Sequence, residues 1–427
     1  MRSAVIAAAA GVLAVACGGV PHPESEPTSL DAAARSYVRL VLALGERDSD
    51  SLDSYHGPVE WKNEVRAEHP TFAQIRASAA MLADTLKTLA VDRDDEPRRR
   101  FLVAQLEAIV SRVDVRQGAR PAFDDEARQL FGLDPPDAAG PAEAAEALQP
   151  AAIRAEIDRL LPAGGDLTAR FAAFDRRFAV PSDRLAAVLA RAIEGCRAAT
   201  AAHIALPAGE RVEVEFVHDL PWSAFTRYEG RFVSRILVNA ALPLTVDRAL
   251  DLACHEAYPG HHTIGVLLES HFGGRRPEFF IHALFSPQSS LHEAAASLAP
   301  ALAFPEEARV AFERDALFPL AGLDAVDARR HVTVGRLVDR LHPLVADVAR
   351  RYLDGALDFP RAAAALERDA LMPSPGLTLK FLNQFRSYAA TYTIGRDRLS
   401  RVVSGSWKVY ERAATDPAQA LPRPASR

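Results

Sequence analysis

The sequence predicts a mainly α fold, an irregular array of helices with one small β-sheet, and three observations predict it. From Asp31 onward apolar residues recur three and four apart, as in Tyr37, Leu40, Val41 and Leu44 and again in Met81, Leu82, Leu86 and Leu89, which is the spacing of amphipathic helices. Turn-formers break the series at Gly132 to Pro141 and at Pro162 to Asp166, with no period that would mark a helical repeat. One region departs from helix: Arg211 to Val217 alternates polar and apolar, and Phe232 to Val238 is rich in β-branched and large apolar residues. Both read as strands of a broad hairpin or small sheet, separated by Pro221, Trp222 and Gly230. Thr245 then reads as an N-cap, with Asp247 in the first turn of a helix that carries Ala249, Leu250, Leu252 and Ala253 toward His255.

Of the 427 residues, 49% are apolar and 25% charged, enough to bury one large core or two ordinary ones. The 50 Lys and Arg are interleaved with 56 Asp and Glu along the helices, for a formal charge of -6, so no basic stripe invites nucleic acid. Residues 1–17 have a different character. Arg2 gives a positive start, Ala4 to Ala16 form an apolar run too short to span a bilayer, and Ala14-Val15-Ala16 sets small residues before Cys17. That is a lipoprotein signal peptide, although Leu13 sits one place earlier than the usual leucine. The expectation is export across the inner membrane and a lipid anchor at Cys17 in the periplasm or outer membrane of a bacterial envelope, with simple secretion as the alternative. Residues 18–30, with Gly18, Gly19, Pro21, Pro23 and Pro27, read as a flexible tether, and 31–427 as a single helical domain. Cys196 and Cys254 are left to form a bridge or stay as buried thiols.

Six of the thirteen histidines fall between His255 and His292, and the first is followed directly by Glu256. In the familiar helical zinc site two histidines four apart share one face, and the glutamate beside the first acts as general base. Here position 259 is proline, and the next histidines, His261 and His262, lie six and seven residues on. A straight helix would turn His261 to the wrong face and carry His262 about 10 Å too far along the axis. Pro259 removes an amide hydrogen bond and Gly260 permits a bulge, so a kink can bring a later histidine back. His261 needs less distortion than His262. Glu293, 38 residues after His255, is the expected third ligand, although Ser290-x-x-Glu293 also has the form of a capping box. His282 and His292 are fallback ligands or donors to a transition-state oxygen.

The stretch His255-Glu256-x-x-Pro259-Gly260-His261-His262 resembles the hallmark of the bacterial family catalogued as domain of unknown function 885, itself similar to the gluzincin type of zincin metallopeptidases. Tyr55-x-Gly57-Pro58-x-Glu60-Trp61, Asn239 with Pro243, Glu293 and Tyr392-Thr393-Ile394-Gly395 agree with it in order. Two places depart: Glu293-Ala294-Ala295-Ala296 stands for Glu-Gly-Trp-Ala, and Ser387-Tyr388 for Gly-Gln. The resemblance implies a zincin-like helical fold with the small sheet beside an active-site cleft. It also implies zinc held by His255, one of the 261/262 pair and Glu293, with Glu256 as base and Tyr392 as donor to the transition-state oxygen.

The expected function is therefore zinc-dependent hydrolysis of a peptide substrate, with the strand Phe232 to Val238 at the rim of the cleft pairing with the peptide backbone. The same residues would serve a zinc hydrolase of a non-peptide amide or ester, or a binding lipoprotein with a relic metal site.

Overall fold

The computed structural model describes residues 29–134, 150–220 and 222–416. The expected signal peptide, Cys17 and the expected tether through residue 28 lie outside the described residues. Ser29 accepts the Ala32 N–H on its hydroxyl and starts helix α1 (Leu30–Arg47), so helix begins just inside the predicted tether. After strand β1 (Leu52–Tyr55), helices α2 (Phe72–Thr88) and α3 (Glu96–Arg116) pack on α1 around Tyr37, Val41, Leu86, Phe101 and Leu102. Thr71 and Gln74 close a capping box at the start of α2. No helix among the described residues is long and apolar enough to cross a membrane.

Helix α4 (Leu185–Ala201) leads into the sheet, in which β2 (Arg211–Val217), β3 (Ala224–Gly230) and β4 (Val233–Asn239) lie in the order β2-β4-β3. β2 runs parallel to β4 and β3 antiparallel. The expected strand from Phe232 to Val238 is thus the central one. Its two edges are taken by β2 and β3, so the expectation that it pairs with a peptide fails. The edge strand β3 was not foreseen. Its inward residues include Thr226, a polar residue where the strand pattern calls for an apolar one.

Helix α5 (Val246–Leu252) follows Thr245 as expected, though the Thr245 hydroxyl pairs with Asp247 and not with a backbone amide. Beyond come α6 (His261–Phe272), a short strand β5 (Ile281–Ala283) antiparallel to β1, α7 (Pro287–Ala303) and α8 (Ala328–Asp339). Cys196 on α4 and Cys254 are joined by a disulfide with Cα atoms 5.4 Å apart. Helix α7 joins two cores: Ala294 and Ala295 pack with the α1–α3 cluster, while Ala299 and Ala303 pack with Phe178, Val188, Leu250 and Phe318. Small side chains let its neighbours come close, as at Gly395, whose missing Cβ would lie 3.6 Å from Ala294 Cβ.

Beneath α5 lies a buried charge cluster. His331 on α8 stands between Asp247 (3.3 Å) and Glu313 (3.2 Å), and its ring stacks on Phe178 at 4.0 Å. Arg309 reaches Asp251 at 2.7 Å and Glu313 at 2.8 Å. Burial works against a charge on His331, but Asp247 and Glu313 outweigh it and push the pKa up to about 10. A folded pKa above the ordinary value means that the stabilisation is complete below pH about 6.5 and disappears as pH rises through about 10. Breaking such a buried pair costs about 3–5 kcal/mol. His331→Gln should therefore lose about that much unfolding free energy near pH 6 and distinctly less near pH 9.5, as measured by urea titration at the two pH values.

Candidate metal centre

Helix α5 continues into a π-helical turn, Ala253–Ala257, which holds His255 and Glu256. Tyr258 is then extended, the Tyr258–Pro259 peptide is cis, and Gly260 precedes the first residue of α6. The Gly260 N–H donates to the Cys254 carbonyl at 3.0 Å. Where sequence reading expected one kinked helix, the chain ends one helix and begins another. His261 stands at the start of the second, and that position returns it toward His255, with ring centroids 4.9 Å apart.

Glu293 meets both. Its Oε2 lies 3.4 Å from His255 Nε2 and its Oε1 3.4 Å from His261 Nε2. Helix α7 starts at Pro287 with Ser286 as its cap, so Ser290 and Glu293 sit inside it and the capping-box alternative does not apply. One ligand atom from each of His255, His261 and Glu293 lies within 4.8 Å of the other two. Two ligands about 2.1 Å from a tetrahedral zinc stand about 3.4 Å apart. The Glu293 Oε2 atom is buried and has no hydrogen-bond partner among the described residues. An orphaned carboxylate oxygen between two imidazoles fits a cation in the gap, and these three side chains would hold it.

Burial opposes ionisation of Glu293, yet His261 and His255 hold its carboxyl well below the usual range. Burial likewise opposes a charge on His261, and Glu293 pushes its pKa up to about 9. Tyr388 donates its hydroxyl to Glu293 Oε1 at 2.8 Å and lies 3.2 Å from Ser289 Oγ, which fixes the carboxylate from behind. Glu256 is buried, and Thr226 on β3 donates to its Oε2 at 2.7 Å and its carbonyl at 3.0 Å. Tyr392 packs on His255 at 6.3 Å between centroids. Burial raises its hydroxyl pKa far above the ordinary value, and Glu293 and Glu256 add to the rise, so it keeps its proton.

The other candidates stand apart. His262 turns away and is fully buried, with Nδ1 2.8 Å from Ser234 Oγ and Nε2 3.0 Å from Glu210. His282 and His292 pack together at 5.0 Å, outside the three-residue group. Thr226 and Glu210 were not singled out from sequence, and Tyr388 entered only as a departure from the family pattern. Tyr388 alone left a signal, since it precedes Tyr392 by four residues and so lies one helical turn away.

No family model matches this chain, and no curated protein matches its sequence. Among solved structures, a protein from Colwellia psychrerythraea described as a "putative lipoprotein" aligns over 92% of this chain and 73% of its own, with 15% identity and a TM-score of 0.48. An M32 carboxypeptidase from Deinococcus radiodurans R1 aligns over 92% of this chain and 88% of its own, with 15% identity and a TM-score of 0.38. Neither likeness is close enough to carry an activity across.

The break depends on Gly260. A Cβ there would lie 1.7 Å from the His255 carbonyl oxygen, whereas at Gly395 the nearest atom would be at an ordinary 3.5 Å. Gly260→Ala should destabilise by about 3 kcal/mol or more and lower zinc uptake, while Gly395→Ala should stay within about 1 kcal/mol of wild type. Thermal melts and metal analysis of the two variants side by side check this, and equal behaviour would refute the account of the break.

Proposed function

We propose that this chain is a zinc-dependent hydrolase of the metallopeptidase type. The observation that carries the reading is the approach of His255, His261 and Glu293 to one another, with Glu256 held beside them. When bound, a zinc ion supplies Lewis acidity toward a carbonyl group and a water molecule. Thr226 occupies one oxygen of Glu256, leaving the other to take a proton from water and return it to the leaving amine. Tyr392 donates to the oxygen that gains charge, a role its retained proton suits. The substrate backbone would pair with β3, which is the edge strand nearest Glu256 and carries Thr226.

Glu256→Gln removes the base but keeps hydrogen-bonding capacity, so turnover of a quenched-fluorescence peptide mixture should fall about 10²–10⁴-fold. Zinc content, quantified on the same samples, should stay near that of wild type, whereas His261→Ala should lose zinc and His262→Ala should lose stability first. Equal turnover by Glu256→Gln and wild type would remove Glu256 from the base role.

The domain, residues 31–427, would sit outside the inner membrane on a lipid anchor at Cys17, a proposal that rests on residues 1–17. Cys17→Ser should release the protein from the membrane fraction or leave it unprocessed. A variant that still needs detergent for extraction would count against acylation.

A further inference from the structure

Two walls run from the candidate centre along a cavity of about 50 Å³. One is a face of α6. His261, Ile264, Gly265 and Leu268 recur three and four apart, so the helix that starts at a candidate ligand carries an apolar stripe directly onward. The other wall is β3, where Thr226, which holds Glu256, and Tyr228 are two apart and lie on the same face of the sheet. The walls stand close together, because a Cβ on Gly265 would lie 2.6 Å from the Tyr228 ring. Phe279 and Ile281 add to the apolar lining, and the surface open to the cavity is more apolar than polar. Three of the polar side chains around it are engaged elsewhere: Thr226 with Glu256, Asp53 with His282, and the Tyr228 hydroxyl with Glu269.

We infer that this cavity is the subsite for a small aliphatic side chain, Ala or Val, on one of the two residues that flank the cut bond. The inference rests on the metallopeptidase reading above. Position decides which part of a substrate enters, since His261 and Thr226 belong both to the lining and to the surroundings of the centre, so the cavity begins where the reacting carbonyl would lie. Size decides what fits. A cavity of about 150 Å³ accepts benzene, and one with a third of that volume takes a methyl or isopropyl group but no ring. A Lys or Arg side chain would leave its charge among Ile264, Leu268, Phe279 and Ile281, with Asp53 already paired to His282. Thr has the shape of Val but brings a hydroxyl against these apolar walls. An apolar pocket separates such isosteres by up to about 10²-fold, and side chains one methylene apart by about 10–200-fold.

The test uses zinc-loaded protein. Mass spectrometry of the products from a short-peptide mixture identifies the bonds cut, and kcat/KM is then measured on quenched peptides that vary one flanking residue at a time among Ala, Val, Thr, Leu, Phe and Lys. At one flanking position Ala and Val should exceed Phe and Lys by about tenfold or more, and Val should exceed Thr by about tenfold. Leu268→Ala, which enlarges the space, should raise the Leu/Val and Phe/Val ratios at that position by about tenfold while zinc per chain is unchanged. Peptides cut without this preference at either position, or with Phe or Lys favoured at both, would overturn the subsite and leave the metallopeptidase reading standing. If the zinc-loaded wild type cuts none of the peptides, both fall. Where Leu268→Ala does not fold, the wild-type Val/Phe and Val/Thr ratios decide alone.

Discussion

The Gly260 amide reaches back 3.0 Å to the Cys254 carbonyl, in a space so tight that any Cβ on residue 260 would overlap the His255 backbone. The geometry of the centre follows from that contact. A continuous helix cannot direct residues 255 and 261 to one point, because six residues turn through well over one and a half helical turns. Ending one helix in a wide π turn and starting another at once gives two short rigid segments whose facing ends carry the two histidines. The disulfide from Cys254 to α4 and the Tyr410 hydroxyl bond to the Pro259 carbonyl at 2.9 Å fasten the break on either side. The buried side chain of Tyr258, which donates its hydroxyl to Glu210 and packs on His262, adds a further hold on the turn.

The third side chain comes from a helix that was placed for packing. α7 lies between two cores, and its alanines at 294, 295 and 296 allow that, where larger residues would force the neighbours apart. The same helix carries Gln288, His292 and Glu293, so its burial brings polar groups with it. Tyr388, whose hydroxyl lies 3.2 Å from Ser289 Oγ, satisfies one oxygen of Glu293, while the other oxygen, His292 Nε2 and Gln288 Oε1 stay unmatched among the described residues. Unmet hydrogen-bonding capacity in an otherwise well-packed helix costs stability, and here it is confined to the stretch that faces His255 and His261.

Much of this was legible in the sequence, and the exceptions have physical causes. Helical periodicity gave the architecture, and the clustering of His255, Glu256, His261 and Glu293 gave the candidate site. The capping-box form of Ser290-x-x-Glu293 misleads, because Ser286 ahead of Pro287 caps the helix earlier and leaves both residues inside it. β3 was missed because its inward face carries Thr226, a residue that serves Glu256 and breaks the apolar alternation. Glu210 and Asp53 were invisible for another reason. Their histidine partners lie 52 and 229 residues away, and no local pattern encodes such a pairing. The disulfide was left open because two cysteines 58 residues apart carry no sign of their distance in space.

The two adjacent histidines show how one turn of helix divides its work. His261 faces Glu293, while His262 faces Glu210 and Ser234 on the opposite side. Burial lowers the His262 pKa, which favours a neutral ring that donates from Nε2 to Glu210 and accepts the Ser234 hydroxyl at Nδ1. Burial also works against a charge on Glu210, but hydrogen bonds from His262, Tyr258 and Arg197 hold its pKa at about 2. Every group in this network has a partner, and it joins Glu210, just before β2, to β4, to the residue before the break and to the residue after His261. A fully satisfied buried network is rigid, because any rotation of α6 would unpair several groups at once. His262 therefore fixes the direction of His261 without approaching the centre itself, so that one of the paired histidines anchors the helix start while the other meets Glu293.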